Sequence, residues 1–290
     1  MLEKYASFCY DQIGVYALEF VDYFKDLRPQ LSKADIPVSL PEYIAMMMFT
    51  AAAVFVGSLF ILCTVLSLMM GLSGFILGIT LSIVLPTVVL VATYLYPSIV
   101  IKQRASKIRD SLPFATMYMA TLAGTGTSMS EVFRNMAEVK QYGEVSKEAE
   151  KISKDVETFG MDMSKALQRA AERTPSENFK DLMWGMNHAM TSGGSMKSFL
   201  QERSQTLMKD YQRRIESFSE QLSLLVEMYI TVVIVGSIVF TSMSAVMSSF
   251  TSMSGEFIVL IQILAMFVGL PLVSGMFILM VRGMAPGGIR

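Results

Sequence analysis

The sequence predicts an all-α polytopic membrane protein: four transmembrane helices, as two hairpins flanking a cytoplasmic antiparallel helical bundle. Three observations predict it. Charged residues make up only 17% of the 290, with a mean hydropathy of +0.47, whereas a soluble domain carries about 25% charge. The charge-free residues are concentrated: residues 43–101, 228–255 and 257–281 contain no Asp, Glu, Lys, Arg or His. Between these runs lies a stretch with the charge content of an ordinary soluble domain.

A bilayer-spanning helix needs about 20 mostly apolar residues. The first run is 59 residues long and therefore holds two spans, near 44–70 and 75–100, with Gly71-Leu72-Ser73-Gly74 as the turn. The other runs predict spans near 222–247 and 257–281. The 24 Lys and Arg fall in residues 1–42, 102–214 and 282–290, with none in the hairpin loops 71–74 and 248–255. Basic residues are retained on the cytoplasmic side, so the amino-terminal segment 1–42, the central domain 102–221 and the tail 282–290 are expected there. The first 42 residues carry seven acids and no continuous apolar core, which argues for an amphipathic helical segment rather than a cleaved signal peptide.

The central 120 residues carry 18 basic and 16 acidic side chains, and helix signals dominate them. Ser128-Met129-Ser130-Glu131 and Thr174-Pro175-Ser176-Glu177 both read as capping boxes, with Pro175 at the first helical position. Gly143, Gly160 and Gly193-Gly194 read as helix stops. Six helices are expected, near 101–123, 128–142, 144–158, 162–173, 175–191 and 195–221, Pro113 bending the first and the last running unbroken into span three. A weak repeat joins Gly126, Gly160 and Gly193. Each glycine is followed by a cap (Ser128, Asp162, Ser195) and by an apolar set, Met129/Val132/Phe133, Met163/Ala166/Leu167 and Met196/Phe199/Leu200. Such a set forms one helical face that must pack on something, and a compact bundle of helical hairpins satisfies it.

Few residues carry chemistry. His188 is the single histidine, and Cys9 and Cys63 have neither metal spacing nor a disulfide framework. There is no GxxxxGK[ST] phosphate loop and no Gly-x-Ser-x-Gly elbow. Neither a catalytic residue, a cofactor nor a metal is expected. The net charge of −1 and the lack of a basic domain argue against nucleic acid. The 25 methionines read as adaptable apolar filler rather than a copper relay. Glu227 lies about five residues inside span three, either at headgroup depth or paired with a cation across an interface. Gln262 and the Ser237, Thr241, Ser242, Ser244 run read as interhelical hydrogen-bonding groups. On the long helix entering span three, Arg203, Lys209, Arg213 and Arg214 are candidates to meet an acidic face, the last two also serving as headgroup anchors. Small-solute transport, as a transporter or channel subunit, and intramembrane catalysis remain alternative readings; four spans with one acid make a poor ion pathway.

Leu112-Pro113-Phe114, Gly124-x-Gly126, the Gly-x-Asp-Met-Ser-Lys-Ala-Leu unit at 160–167 and Ser192-Gly193-Gly194-Ser195-Met196-Lys197-Ser198-Phe199-Leu200 together resemble the type II secretion system F domain. The stretch from Leu31 to Tyr43 is similar to single-domain forms from tight-adherence, archaeal pilus and archaellum systems. The resemblance covers about residues 30–285. It implies a non-enzymatic membrane platform of a type IV pilus-like machine, whose partners are a hexameric secretion ATPase, pilin-like subunits and membrane lipid. Under it the basic set 203–214 would face the ATPase, and Glu227 and Gln262 would face a pilin or another span. Many relatives carry two such domains, so a second copy or a paralogous platform subunit is implied.

Overall fold

The structure is a computed structural model that describes residues 2–250, 260 and 263–284. Every regular element among these residues is helical. Helix α1 (Leu2–Phe20) and the short α2 (Leu27–Ala34) pack on the start of α3 (Leu40–Met70). Their joint core includes Cys9, Leu27, Leu31, Tyr43 and Ile44. The entry to α3 is capped, since the Glu42 carboxylate accepts from the Ser39 amide at 2.8 Å and Pro41 occupies the first turn, where an imino nitrogen leaves no donor unsatisfied.

Gly71 alone makes the turn into the next helix. Its φ is +65°, a backbone conformation that glycine adopts without a steric penalty. Helix α4 then runs from Leu72 to Gly124, 53 residues, so Ser73 and Gly74 belong to the helix rather than to a four-residue loop. The two spans lie close together: a Cβ built on Gly78 would stand 3.1 Å from the Cys63 Cα. Tyr43 Oη donates to the Thr93 carbonyl at 2.7 Å across the pair. Thr50, Thr64, Thr87 and Thr93 return their hydroxyls to carbonyls one turn back, which satisfies them where no water is available.

Below the spans, the last third of α4 becomes a wall of the bundle. Against it pack α5 (Met129–Glu138), α6 (Glu144–Glu157), α8 (Glu177–Thr191) and α9 (Met196–Ile230), while α7 (Met163–Arg173) packs on α6 and α8. A one-turn 3₁₀ segment, Lys140–Tyr142, sits between α5 and α6. All three repeat glycines have positive φ: 81° at Gly126, 63° at Gly160 and 71° at Gly193. Ser128 accepts from the Glu131 amide, Asp162 from Ser164 and Ser195 from Ser198. The apolar sets that follow converge on one core with Ile108, Leu112, Ile152 and Phe179. Several methionines, Met119, Met136, Met183 and Met186 among them, are fully buried there, which is a packing use.

One cap differs from expectation. The fourth short helix begins at Glu177 with Ser176 as its cap. Thr174 instead ends α7, its amide donating to Ala170 O, while its hydroxyl accepts from the Ser176 amide at 3.3 Å. The residue before a proline is pushed out of the helical region. Thr174 has φ −70° and ψ 141°, so Pro175 stands outside the helix rather than at its first position.

Helix α9 carries the chain from the bundle back into an apolar segment without a break. A π-helical turn, Thr231–Val235, leads into α10 (Gly236–Phe250), and a second, Ala265–Gly269, precedes α11 (Leu270–Met284). Four helical stretches are long and apolar enough to cross a membrane: Leu40–Leu68, Ser73–Gly124, Met196–Val246 and Phe267–Met284. Tyr229 ties the last pair, its hydroxyl 3.0 Å from Ser274 Oγ and its ring 4.6 Å from that of Phe277. Ser237, Ser242 and Ser244 bond carbonyls of their own helix rather than bridging helices, because a carbonyl one turn back is always within reach. Gln262, residues 251–259, which hold most of the 248–255 loop and the start of the expected fourth span, and residues 285–290 of the tail lie outside the described residues.

Leu167 is fully buried at the bundle centre, whereas Leu68 is 88% exposed on a span. Leu167→Ala is expected to cost about 2–5 kcal/mol through lost burial and the cavity left behind. Leu68→Ala should leave thermal unfolding of the detergent-solubilised chain almost unchanged.

Candidate functional site

The two helices that leave the membrane, α4 and α9, meet again just below it. Phe114 and Tyr211 stack edge-to-face at 5.3 Å. Arg214 Nη1 approaches Asp110 Oδ1 at 3.3 Å, Nη2 approaches the Arg109 carbonyl at 3.4 Å, and the guanidinium lies 5.7 Å from the Tyr211 ring centre. These contacts close the floor of a large groove, about 1510 Å³. Its walls are the first turns of α4 below the span, the last turns of α9 before the next span, and the corner Tyr142–Gly143–Glu144, with Met284 at the end of α11 on its rim.

Beside the groove lies a buried ion cluster that the sequence reading did not assemble. Arg104, expected only as one of several basic residues flanking span two, has a side chain just 8% exposed. Its Nε donates to Glu144 at 2.8 Å, Nη2 to Glu148 at 2.9 Å and Nη1 to the Lys33 carbonyl at 2.6 Å. Glu148 also accepts from Arg173 at 3.1 Å and from Lys151 at 3.3 Å. Asp155 accepts from Arg173 and Arg169, both at 3.2 Å. Lys151 reaches Asp35 as well, at the corner after α2. Asp35 has φ +57° and is the one non-glycine with positive φ among the described residues. The cluster thus fastens α2, α4, α6 and α7 together. Its sequence signal is the spacing of Glu144, Glu148 and Asp155 along one face of α6, beside the buried Val145, Ala149 and Ile152.

Burial alone would raise the Glu144 pKa, but hydrogen bonds from Lys147 and Arg104 outweigh it and hold the carboxyl below its ordinary value. A lowered folded-state pKa means that Glu144 contributes stability above the unfolded value, and that this is lost as pH falls through the folded one.

The expected contact residues divide. Arg203 is paired with Asp181 of α8 at 3.6 Å, and its Nε is buried without a hydrogen-bond partner. Arg214 is engaged at the groove floor. Lys209 is exposed, with no ion partner among the described residues, and Arg213 reaches only Asp210 at 3.6 Å. The helix periodicity explains the split: Leu200, Ser204 and Leu207 face the bundle, so 203 and 214 flank the packed side, whereas 209 and 213 point away. Glu227 is exposed at the start of the second hairpin. Its carbonyl takes the Thr231 hydroxyl, and no partner for its carboxylate occurs among the described residues. His188 is exposed on α8. Among the described residues no three His, Cys, Asp or Glu side chains are placed to hold a metal.

Four apolar helices around a charged helical bundle define a multi-pass membrane protein. The comparison with families then bears out the motif resemblance: residues 115–243 match type II secretion system (T2SS), protein F. Among curated proteins it is similar to flagella accessory protein J of Methanocaldococcus jannaschii, 29% identical over 160 residues, 55% of this chain and 28% of that protein. Flagella accessory protein J of Methanococcus voltae is 28% identical over 180 residues, 60% of this chain and 32% of that protein. An uncharacterized protein of Methanocaldococcus jannaschii is 29% identical over 145 residues, 49% and 24% respectively. The chain therefore matches about a quarter to a third of the length of these relatives. No solved structure matches it.

Two outcomes test the ion cluster. Glu148→Ala removes a side chain that is 1% exposed and strips Arg104 and Arg173 of a buried partner, so it should cost about 3–5 kcal/mol in thermal unfolding. As pH is lowered below the ordinary carboxylate value of 4.5, the unmodified chain should lose stability more steeply than Glu144→Gln.

Proposed function

We propose that this protein is the membrane platform of a filament-assembly or secretion machine of the type IV pilus class. In this reading the bundle lies in the cytoplasm with both termini, over a hexameric secretion ATPase, and its membrane hairpins pass pilin-like subunits into a growing filament. Its role is mechanical and not enzymatic. One observation carries the reading: α4 and α9 each run unbroken from the bundle into an apolar segment, 53 and 35 residues long. Displacement of the bundle is thereby delivered to the spans through hydrogen-bonded helix rather than slack loop. The F-domain match and the likeness to two flagella accessory J proteins support the same class. In the same reading the chain works alongside a second copy or a paralogous platform subunit.

Lys209 and Arg213, exposed on the outer face of α9, are the residues of the basic set left to meet an acidic surface of the ATPase. Glu227, exposed and unpaired among the described residues, would meet a cation on a neighbouring span or a pilin subunit.

Interrupting α9 with a flexible Gly/Ser segment between Arg214 and Leu222 should leave membrane insertion intact and abolish filament assembly; normal filaments would overturn the reading. Lys209→Glu combined with Arg213→Glu should reduce co-purification of the ATPase with the full chain by tenfold or more, without changing its thermal unfolding. A cysteine placed at Lys209 should react with a membrane-impermeant reagent only when the cytoplasmic face is open.

A further inference from the structure

The groove between α4 and α9 has a chemistry that the platform reading does not use. Lys102, Lys107 and Arg109 line it, and among the described residues none of the three has a carboxylate partner. Asp110, at the floor, spends Oδ1 on Arg214, while its Oδ2 is buried with no hydrogen-bond partner among the described residues. Above the floor Phe218 contributes an aromatic wall.

The level of the groove matters as much as its charge. Lys102 is the first charged residue after the 59-residue run, so it sits at the membrane boundary. Asp110 lies about 12 Å further along the helix axis at 1.5 Å per residue. A headgroup layer is about 5–8 Å deep on each side of the hydrocarbon. The groove thus opens at headgroup level and deepens just beyond it. A basic pocket between helices at this level selects anionic lipid headgroups. The buried, unpartnered carboxylate oxygen adds a second requirement, because it needs a hydrogen-bond donor.

We propose that this groove binds the headgroup of an anionic phospholipid bearing a free hydroxyl beyond its phosphodiester, as in a phosphoglycerol lipid. The phosphate is held by Lys102, Lys107 and Arg109, and the headgroup hydroxyl donates to Asp110 Oδ2. The lipid bridges the bases of the two hairpins where α4 and α9 part. The proposal requires that these helices cross a membrane and does not depend on the platform reading.

The test uses the purified full chain in detergent, with lipid retention read by native mass spectrometry and stability by thermal unfolding. Phosphatidylglycerol should be retained as a single adduct and raise the unfolding temperature, and phosphatidylcholine, which lacks the donor, should do neither. Lys107→Gln with Arg109→Gln should lower phosphatidylglycerol retention at least tenfold. Lys107→Arg with Arg109→Lys should preserve it, as should Lys154→Gln, which lies outside the groove. Equal retention of the two lipids, or unchanged retention in the double Gln variant, overturns the proposal. Displacement of the lipid by millimolar inorganic phosphate, with the same stabilisation by phosphate alone, overturns the lipid assignment in favour of a soluble phosphate. The selectivity of the unmodified chain decides the matter even if a variant fails to fold.

Discussion

Everything in this molecule follows from the requirement that backbone polar groups inside a bilayer be satisfied within their own segment. That requirement makes the spans helices, and once a helix is hydrogen-bonded nothing obliges it to stop at the membrane surface. Helix α4 continues for more than twenty residues past the end of the charge-free run at Ile101, and α9 begins about as far before the next span. The bundle is therefore made partly from the membrane helices themselves. Helices α5 to α8 complete the core beside these two shafts, and the repeated turn-cap-apolar unit gives α5, α7 and the start of α9 the single apolar face that each presents to it.

The architecture was legible because its signals are redundant. Charge-free length, basic flanks and cap residues each point to the same elements, and a shift of a few residues at any boundary leaves the fold unaltered. Thr174 shows the kind of signal that misleads: its four-residue pattern fits a capping box, but the proline that improves the match also forces the preceding residue extended. The hydroxyls of the second hairpin show another. Composition reveals that Ser237, Ser242 and Ser244 are polar groups in an apolar helix, but not whether each turns to its own carbonyl or to a neighbour.

The ion cluster was not assembled from the sequence because its members come from four separate elements, residues 33–35, 104, 144–155 and 169–173. Arg104 shares its surroundings in sequence with Lys102 and Lys107, yet one position on the helix takes it from the rim to a site with three ordered acceptors. Net charge says nothing of this. The cluster balances cations against carboxylates while tying the amino-terminal segment to the bundle, and Asp35 takes part from a left-handed cap at the end of α2. The basic set on α9 was likewise visible as a set, but its division into inward and outward members depends on which face α8 covers.

Tyr43 bonds to Thr93 within one hairpin and Tyr229 to Ser274 within the other. The hairpins are joined instead beneath the bilayer, where Asp110 meets Arg214 and Phe114 meets Tyr211. Such an object has the geometry of a pair of dividers, with its rivet at Asp110. On α4 the arm from the rivet to Leu72 is about 57 Å and the arm to Gly124 about 21 Å, at 1.5 Å per residue. A small tilt imposed at the short arm reappears at the far tip nearly threefold larger, less whatever is absorbed where Pro86 and Pro97 each remove a backbone bond from the long arm.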